Sequence, residues 1–347
     1  MHLDDFDYHL PEASIAQTPV EPRDAARLLV LDRGTGALEH RVFSEIGDYL
    51  CAGDVLVFND TRVLPARLKA HKAASGGQVE LLLLKRQAPL TWEVLVGGKR
   101  VHLGTVLEVE GWPGLQAVVL QVLDGPRRLV QFSQPISPLL ERVGQVPLPP
   151  YIHAPLADPE RYQTVYAQNP GAAAAPTAGL HFTPGLLDAL RARGVATVFV
   201  TLHIGLDTFA PVSDEQVQAR TLHGEWCEIT EETAGAINAA KREGRRVIAV
   251  GTTAVRTLEA AARRGGSSGQ ALAPLRDTVT LFLQPGDEFR VVDGLITNFH
   301  LPRTTLLMLV SAFAGRERVL AAYETAKQAG YRFYSFGDAM LIISRDR

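Results

Sequence analysis

The chain has 347 residues, 46 % apolar and 21 % charged, the profile of a soluble globular protein long enough for roughly two domains. Two cysteines exclude a disulfide framework and any zinc-ligand spacing, and the longest apolar stretches, Val79–Leu84 and Leu306–Ala314, fall well short of the ~20 residues of a membrane span. A formal net charge of −3 argues at first sight against a nucleic-acid partner, but residues 61–150 hold 11 Lys and Arg against 6 Asp and Glu, a surplus of five that leaves the rest of the chain at −8.

Along the chain, the acidic start Met1–Asp7 has neither the basic nor the apolar character of a secretory or transit peptide, and with only two cysteines a reducing cytoplasm is the expectation; a monomer is expected. Val55–Phe58 is an apolar run ending in Asn59-Asp60-Thr61, as a buried strand does when it delivers polar groups at its C-terminal end. From Val63 to Phe132 short β-rich runs (Val79–Leu84, Trp92–Val96, Thr105–Val109, Ala117–Leu123, Leu129–Phe132) alternate with Gly-rich turns, predicting a small β-barrel or sandwich. Five prolines between Pro147 and Pro159 make an extended connector. Beyond it, helices at Leu186–Arg193, Glu231–Glu243, Thr252–Arg264 and Glu317–Ala329 alternate with strands at Val195–Leu202, Arg246–Val250, Val279–Leu283 and Met340–Ile343, with a Gly265–Gly269 loop after the third helix. Three of these helices end at a glycine, Gly194, Gly244 and Gly330. This is α/β: a main α/β domain from 1–62 and 150–347, with a small β-barrel domain, 63–149, inserted in it.

Polar, Gly and His residues cluster at strand ends in five segments: Asn59–Arg67, Ala175–Phe182, Thr201–Gly205, Val250–Glu259 and Thr297–Pro302, with Ser335–Asp338 as a sixth. In open α/β sheets ligands bind beyond the strand C-termini. Gly251-Thr252-Thr253 opens a helix, where free amides suit a carboxylate or phosphate, and Arg256 one turn on adds a charged fork; an ordinary threonine cap with a surface arginine fits the same residues. His181, His203 and His300 each follow or end an apolar segment and are the side chains best suited to move protons near neutral pH. Their spacing fits no zinc template, so no metal is expected. Asp60 and Asn59 suit ribose hydroxyls or a simple Asx-turn, and Arg62, Arg67, Arg245 and Arg246 suit phosphates or plain solvent.

Taken in order, these words resemble the S-adenosylmethionine:tRNA ribosyltransferase-isomerase family of queuosine biosynthesis. The resemblance rests on Tyr8–Glu12, Arg23-Asp24, Arg27–Val30, Asn59–Leu68, Pro147–Ile152, Tyr162–Tyr166, Ala175–Phe182, Gly251–Glu259, Thr297–Pro302 and Tyr331–Met340, and runs from near residue 6 to near residue 343. Arg220 stands where that family usually has His, and Ala26 where it commonly has Ser. The resemblance implies an α/β domain with an inserted barrel, and S-adenosylmethionine as a ribosyl donor to 7-aminomethyl-7-deazaguanine at the tRNA wobble position. Epoxyqueuosine forms, and adenine and methionine leave. Such chemistry needs a base for the acidified ribose 5′ proton and a donor for departing adenine, with His181, His203 and His300 as candidates and Asp60 and Asp338 behind them. Thr177, Gly179, Gly251, Thr252, Thr253 and Arg256 are expected to hold the co-substrate, and Phe182 or Phe299 to face its sulfonium cation. The expected partner is tRNA through its anticodon loop, with no membrane. The competing readings are an S-adenosylmethionine-dependent RNA methyltransferase, whose glycine signature is missing, and a non-catalytic RNA-binding protein.

Overall fold

A computed structural model describes residues 2–205, 213–265 and 270–344. The chain divides into two compact units: Met1–Arg62, Pro150–Asn169 and Ala175–Arg347 form the larger, Val63–Pro149 and Pro170–Ala174 the smaller. Three strands of the larger unit come first: β1 (Arg27–Asp32), β2 (Leu38–Val42) and β3 (Val55–Asn59).

The smaller unit is a closed barrel of β4 (Arg67–Lys72), β5 (Gln78–Arg86), β6 (Thr91–Gly97), β7 (Val106–Val109), β8 (Gln116–Val122) and β9 (Arg127–Phe132). Its strands pair antiparallel in the order β4-β5-β6-β9-β8-β7, and β4 pairs back with β7 to close the ring. Closure removes the open edges at which sheets aggregate. Period-2 burial fills the inside with Leu68 and Ala70, Leu81 and Leu83, Val94, Leu107, Ala117 and Val119, Val130 and Phe132. The closing strand β4 has no counterpart among the expected strands, because Arg67, Lys69, His71 and Lys72 outnumber its two inward residues.

The larger unit continues with α1 (Pro184–Ala192), β10 (Ala196–Leu202), β11 (Thr221–Ile229), α2 (Glu231–Arg242), β12 (Val247–Val250), α3 (Thr252–Arg264), β13 (Leu275–Leu281), β14 (Gly294–Asn298), α4 (Thr305–Ala314), α5 (Arg316–Gln328) and β15 (Ala339–Ile343). The expected Gly265–Gly269 loop lies, beyond Gly265, outside the described residues. The nine-stranded sheet runs β13-β11-β10-β3-β12-β14-β15-β1-β2. Its centre is parallel, β10, β3, β12 and β14 pointing one way; β15 reverses against β14, and β1 runs with β15.

Central strands such as Val55–Asn59 are buried along their whole length, because both faces of the sheet are covered. Val55, Val57, Val247, Ala249 and Leu295 face a core closed by α2 to α5; Leu56, Phe58, Ile248, Val250 and Ile296 face a second, closed by α1, Phe43, Ile46 and Phe182. Leu190, Leu187 and Leu186 form the apolar stripe that seats α1, and Thr183 caps it by accepting from the Leu186 amide at 3.1 Å. Among the described residues no helix is long and apolar enough to cross a membrane.

Candidate active site

Strand direction alone gathers most of the polar segments. The C-termini of β10, β3, β12 and β14 and the N-termini of β15 and β1 share one edge, so Asn59–Thr61, His203, Gly251–Thr253, Asn298–His300 and the loop into β15 come together there. Asn59, fully buried, ties the first three. Its Nδ2 donates to the Leu202 carbonyl at 3.0 Å and to Thr253 Oγ1 at 3.1 Å, while its Oδ1 accepts from the amides of Leu202 at 3.0 Å and Thr61 at 3.1 Å. Gly251, at φ 90°, starts α3 from a backbone region that a side chain would strain. No side chain caps α3, so its first amides remain outside the intrahelical ladder. The 3₁₀ turn Thr177–His181 lies beside it. There Thr177 donates to Asn298 Oδ1 at 3.4 Å, and Asn298 Nδ2 donates to the Tyr334 carbonyl at 3.0 Å and contacts His181 Nε2 at 3.3 Å.

The three histidines occupy different settings. His203, half-buried, stacks on Trp226 with ring centroids 4.9 Å apart and places Nδ1 2.8 Å from Thr61 Oγ1. Burial lowers its pKa, against the fields of Asp60 and Glu228. His181 sits on a 3₁₀ turn instead of a strand end, 5.0 Å from the Phe43 ring, and burial with the charges of Arg332 and Arg23 pushes it down to about 3. His300 is pushed down to about 3 by burial alone. Its Nε2 lies 2.8 Å from Thr297 Oγ1, its amide donates to Tyr323 at 3.0 Å and its carbonyl accepts from Tyr8, so it is locked into the aromatic core.

The remaining expected residues divide. Asp60 is at the edge, with one oxygen accepting from Thr201 at 2.6 Å and the other from Asn169 at 2.9 Å. Gly179 is there too: a Cβ would lie 1.9 Å from the Tyr166 hydroxyl, so only glycine lets that ring approach. Phe182 and Phe299 correct the sulfonium expectation. Phe182 is enclosed by Phe43 and Phe58 at 5.0 Å each and Phe299 by Phe333 at 4.8 Å and Tyr323 at 5.2 Å; fully buried, they leave no ring face for a cation. Asp338 accepts from the backbone amides of Arg27 at 2.9 Å and Arg332 at 2.8 Å, which makes it the clip of the loop into β15 and not a group aimed at substrate. Arg256 does not reach over the start of α3; it ion-pairs with buried Glu225 and donates to the Leu281 carbonyl at 3.2 Å.

Arg245 and Arg246 lie at the opposite edge, before β12, where Glu243 and buried Asp54 take up their charges, and this overturns the phosphate expectation for them. Arg62 pairs with Glu160, and Arg67, on the barrel, lies 3.7 Å from Glu80. Trp226, Asn169 and Glu225 were not singled out from the sequence, and Thr201 and Asn298 lay inside marked segments without a role of their own. Asn298 stood in plain view beside His300; nothing local marks Trp226 as the partner of His203. Among the described residues no group of three or more His, Cys, Asp or Glu is placed to hold a metal.

Comparison with known proteins identifies the family. Residues 3–342 match the family described as queuosine biosynthesis protein. A relative from Moorella thermoacetica is 54 % identical over 347 residues, 99 % of this chain and all of its own length, and one from Carboxydothermus hydrogenoformans is 54 % identical over 346 residues with the same coverage. Both are named S-adenosylmethionine:tRNA ribosyltransferase-isomerase. The crystal structure of S-adenosylmethionine tRNA ribosyltransferase from Thermotoga maritima is 40 % identical, covers 98 % of this chain and all of its own, and superposes with a TM-score of 0.57. The chain belongs to the queuosine biosynthesis protein family.

Proposed function

We propose that the chain transfers and isomerises the ribosyl moiety of S-adenosylmethionine onto 7-aminomethyl-7-deazaguanine at the tRNA wobble position, giving epoxyqueuosine-tRNA with adenine and methionine released. The observation that carries this reading is the convergence of the family's words at one sheet edge, where Asn59, Thr253, Thr61 and His203 form one hydrogen-bonded group and Thr177, Asn298 and His181 a second. The open start of α3 at Gly251–Thr253 fits the methionine carboxylate, since unpaired amides and the helix dipole favour an anion. Asp60 and Thr61 fit ribose hydroxyls.

Among the histidines, His203 fits the base. A lowered pKa keeps it neutral near pH 7, its hydrogen bond to Thr61 and stack on Trp226 hold the ring, and it is the most exposed of the three. His300 is a packing residue in this reading. An anticodon-loop base is already single-stranded, so no duplex opening is needed. The protein works as a monomer in the cytoplasm, without a metal.

Incubation of the protein with S-adenosylmethionine and tRNA carrying the aminomethyl-deazaguanine tests the reading, with free adenine and the mass of the digested nucleoside as readouts. Adenine with epoxyqueuosine is expected. Methyl transfer to RNA without adenine would replace the proposal with a methyltransferase. His203→Ala is expected to lower turnover about a hundredfold or more.

A further inference from the structure

Asn298 is buried to within 2 % of its surface and is held from two directions. Its amide orientation follows from its neighbours. Tyr334 presents a carbonyl, which can only accept, 3.0 Å away, so the atom facing it is Nδ2. The opposite end, Oδ1, meets the Thr177 hydroxyl, which can donate to it. A flipped amide would set two carbonyl oxygens against each other in a dry site. The second Nδ2 proton then points to His181 Nε2 at 3.3 Å. A nitrogen that accepts carries no proton of its own, so the ring proton sits on Nδ1.

We infer that Asn298 is a positioning residue that fixes His181 as the neutral Nδ1–H tautomer, so that His181 acts on the substrate as a hydrogen-bond donor and not as a base. The role rests on the ribosyl-transfer reading; the tautomer does not. His181 lines a small open hollow of about 20 Å³, room for about one water, together with Arg23, Arg161, Leu180, Ser335 and Phe336. A donor there stabilises charge developing on a departing or polarised group without giving up its proton. Arg23 and Arg332 are the charges whose fields reach the ring, and both oppose its protonation. Arg23 spends its guanidinium on the carbonyls of Gln163 at 2.7 Å and Glu160 at 2.9 Å, which keeps its charge in place beside His181. No carboxylate is among the groups acting on His181, as one would be if the ring were built to cycle through its cation.

Long-range proton–nitrogen correlation spectra of the ¹⁵N-labelled protein near pH 7 test the tautomer in the unaltered chain, with the His181 signals identified by their loss in His181→Gln. Unprotonated Nε2 with protonated Nδ1 is expected, the form that free histidine disfavours; protonated Nε2 overturns the inference. Asn298→Asp is the functional arm. A carboxylate there must accept from Nε2–H, which reverses the tautomer and raises the ring's pKa. Turnover is expected to fall about a hundredfold, with a new ionisation in the pH–rate profile. Asn298→Ala, which removes the lock without adding charge, is expected to lower kcat more than it raises KM. If the wild-type spectrum shows the Nδ1–H form but Asn298→Ala keeps full kcat and the same pH profile, the positioning role is wrong. If the wild-type protein shows that form and releases no adenine at all, the ribosyl-transfer reading has failed and the tautomer assignment stands.

Discussion

At the scale of single residues, the candidate site depends on buried amides that organise neighbours more than on charged groups. Asn59 is the strongest case. Replacing it by Ala leaves the Leu202 and Thr61 amides and the Leu202 carbonyl without the partners they now have in the interior. Each orphaned group costs about 1–3 kcal/mol, so Asn59→Ala is expected to lose roughly 3 kcal/mol or more in urea denaturation. A loss below about 1 kcal/mol would mean that water or a neighbour replaces the amide. Gly179 makes a different kind of prediction. Gly179→Ala puts a methyl against the Tyr166 hydroxyl and 2.9 Å from Thr164, costing about 1–3 kcal/mol of overpacking. Tyr166→Phe in the same chain removes the clashing oxygen and should recover part of that cost; a double variant no more stable than Gly179→Ala would place the strain in the backbone instead. The sequence showed which words gather in space, because His181, His203, Asp60 and Gly251 do stand at one sheet edge. It could not show which members of a word face inward. Phe182 and Phe299 read like aromatic contacts for a cation and are core residues, and Asp338 reads like a catalytic acid and is a loop clip; only tertiary packing separates those uses.

At the scale of elements, the pair Glu225–Arg256 joins strand β11, next to the sheet's edge, to α3. Both side chains are more than nine-tenths buried, and Glu225 also accepts from the Gly205 amide at 3.1 Å, just past His203. Removing one member leaves the other's charge stranded in the interior, so Glu225→Ala is expected to destabilise by about 3–5 kcal/mol. Replacing both, as Glu225→Leu with Arg256→Met, should restore most of that loss, since two charges no longer need burying. Denaturation midpoints of the two variants decide it: a double variant as unstable as the single one would show that the pair contributes net stability. The alternation of strand and helix past residue 184 was legible because glycines mark helix ends and because α1 and α3 carry clear apolar stripes. Several elements were not, among them β1, β2, β11, α4 and β4, and the last two show why. In α4 seven of ten residues are buried and nearly all are apolar, so it has no polar face to reveal a helical period. In β4 the inward positions are only Leu68 and Ala70, and the barrel's closure, not local propensity, makes it a strand. Strand β13 was expected at Val279–Leu283 and occupies Leu275–Leu281, because its Arg276-Asp277-Thr278 stretch pairs with β11 at an exposed edge where no apolar pattern is required.

At the scale of the whole molecule, the described chain holds two buried histidines, His181 and His300, and both belong to the larger unit. Each has its pKa pushed from 6.5 down to about 3 by burial. In the unfolded chain the same rings bind protons near pH 6.5, so between about pH 6.5 and pH 3 the unfolded state holds protons that the folded state refuses. Stability must therefore fall as the pH drops through that window, by up to roughly 1.4 kcal/mol per pH unit for each histidine, and be unaffected by these groups above it. The same burial that keeps the rings neutral near pH 7 makes the larger unit acid-sensitive. His300→Gln removes one of the two titrations and should flatten the decline by about half, whatever it does to stability at pH 7.5. The two units offer separate reporters. All five long helices α1 to α5 lie in the larger unit, whereas Trp92 and Trp112 lie in the barrel. In a Trp226→Phe background, mild acid should reduce the far-ultraviolet helix signal before tryptophan fluorescence reports opening of the barrel. Coincident transitions in that background would mean that the units unfold as one cooperative block; an unchanged denaturation midpoint between pH 7 and pH 4.5 would mean that His181 and His300 are protonated while still folded, and that burial does not hold them neutral.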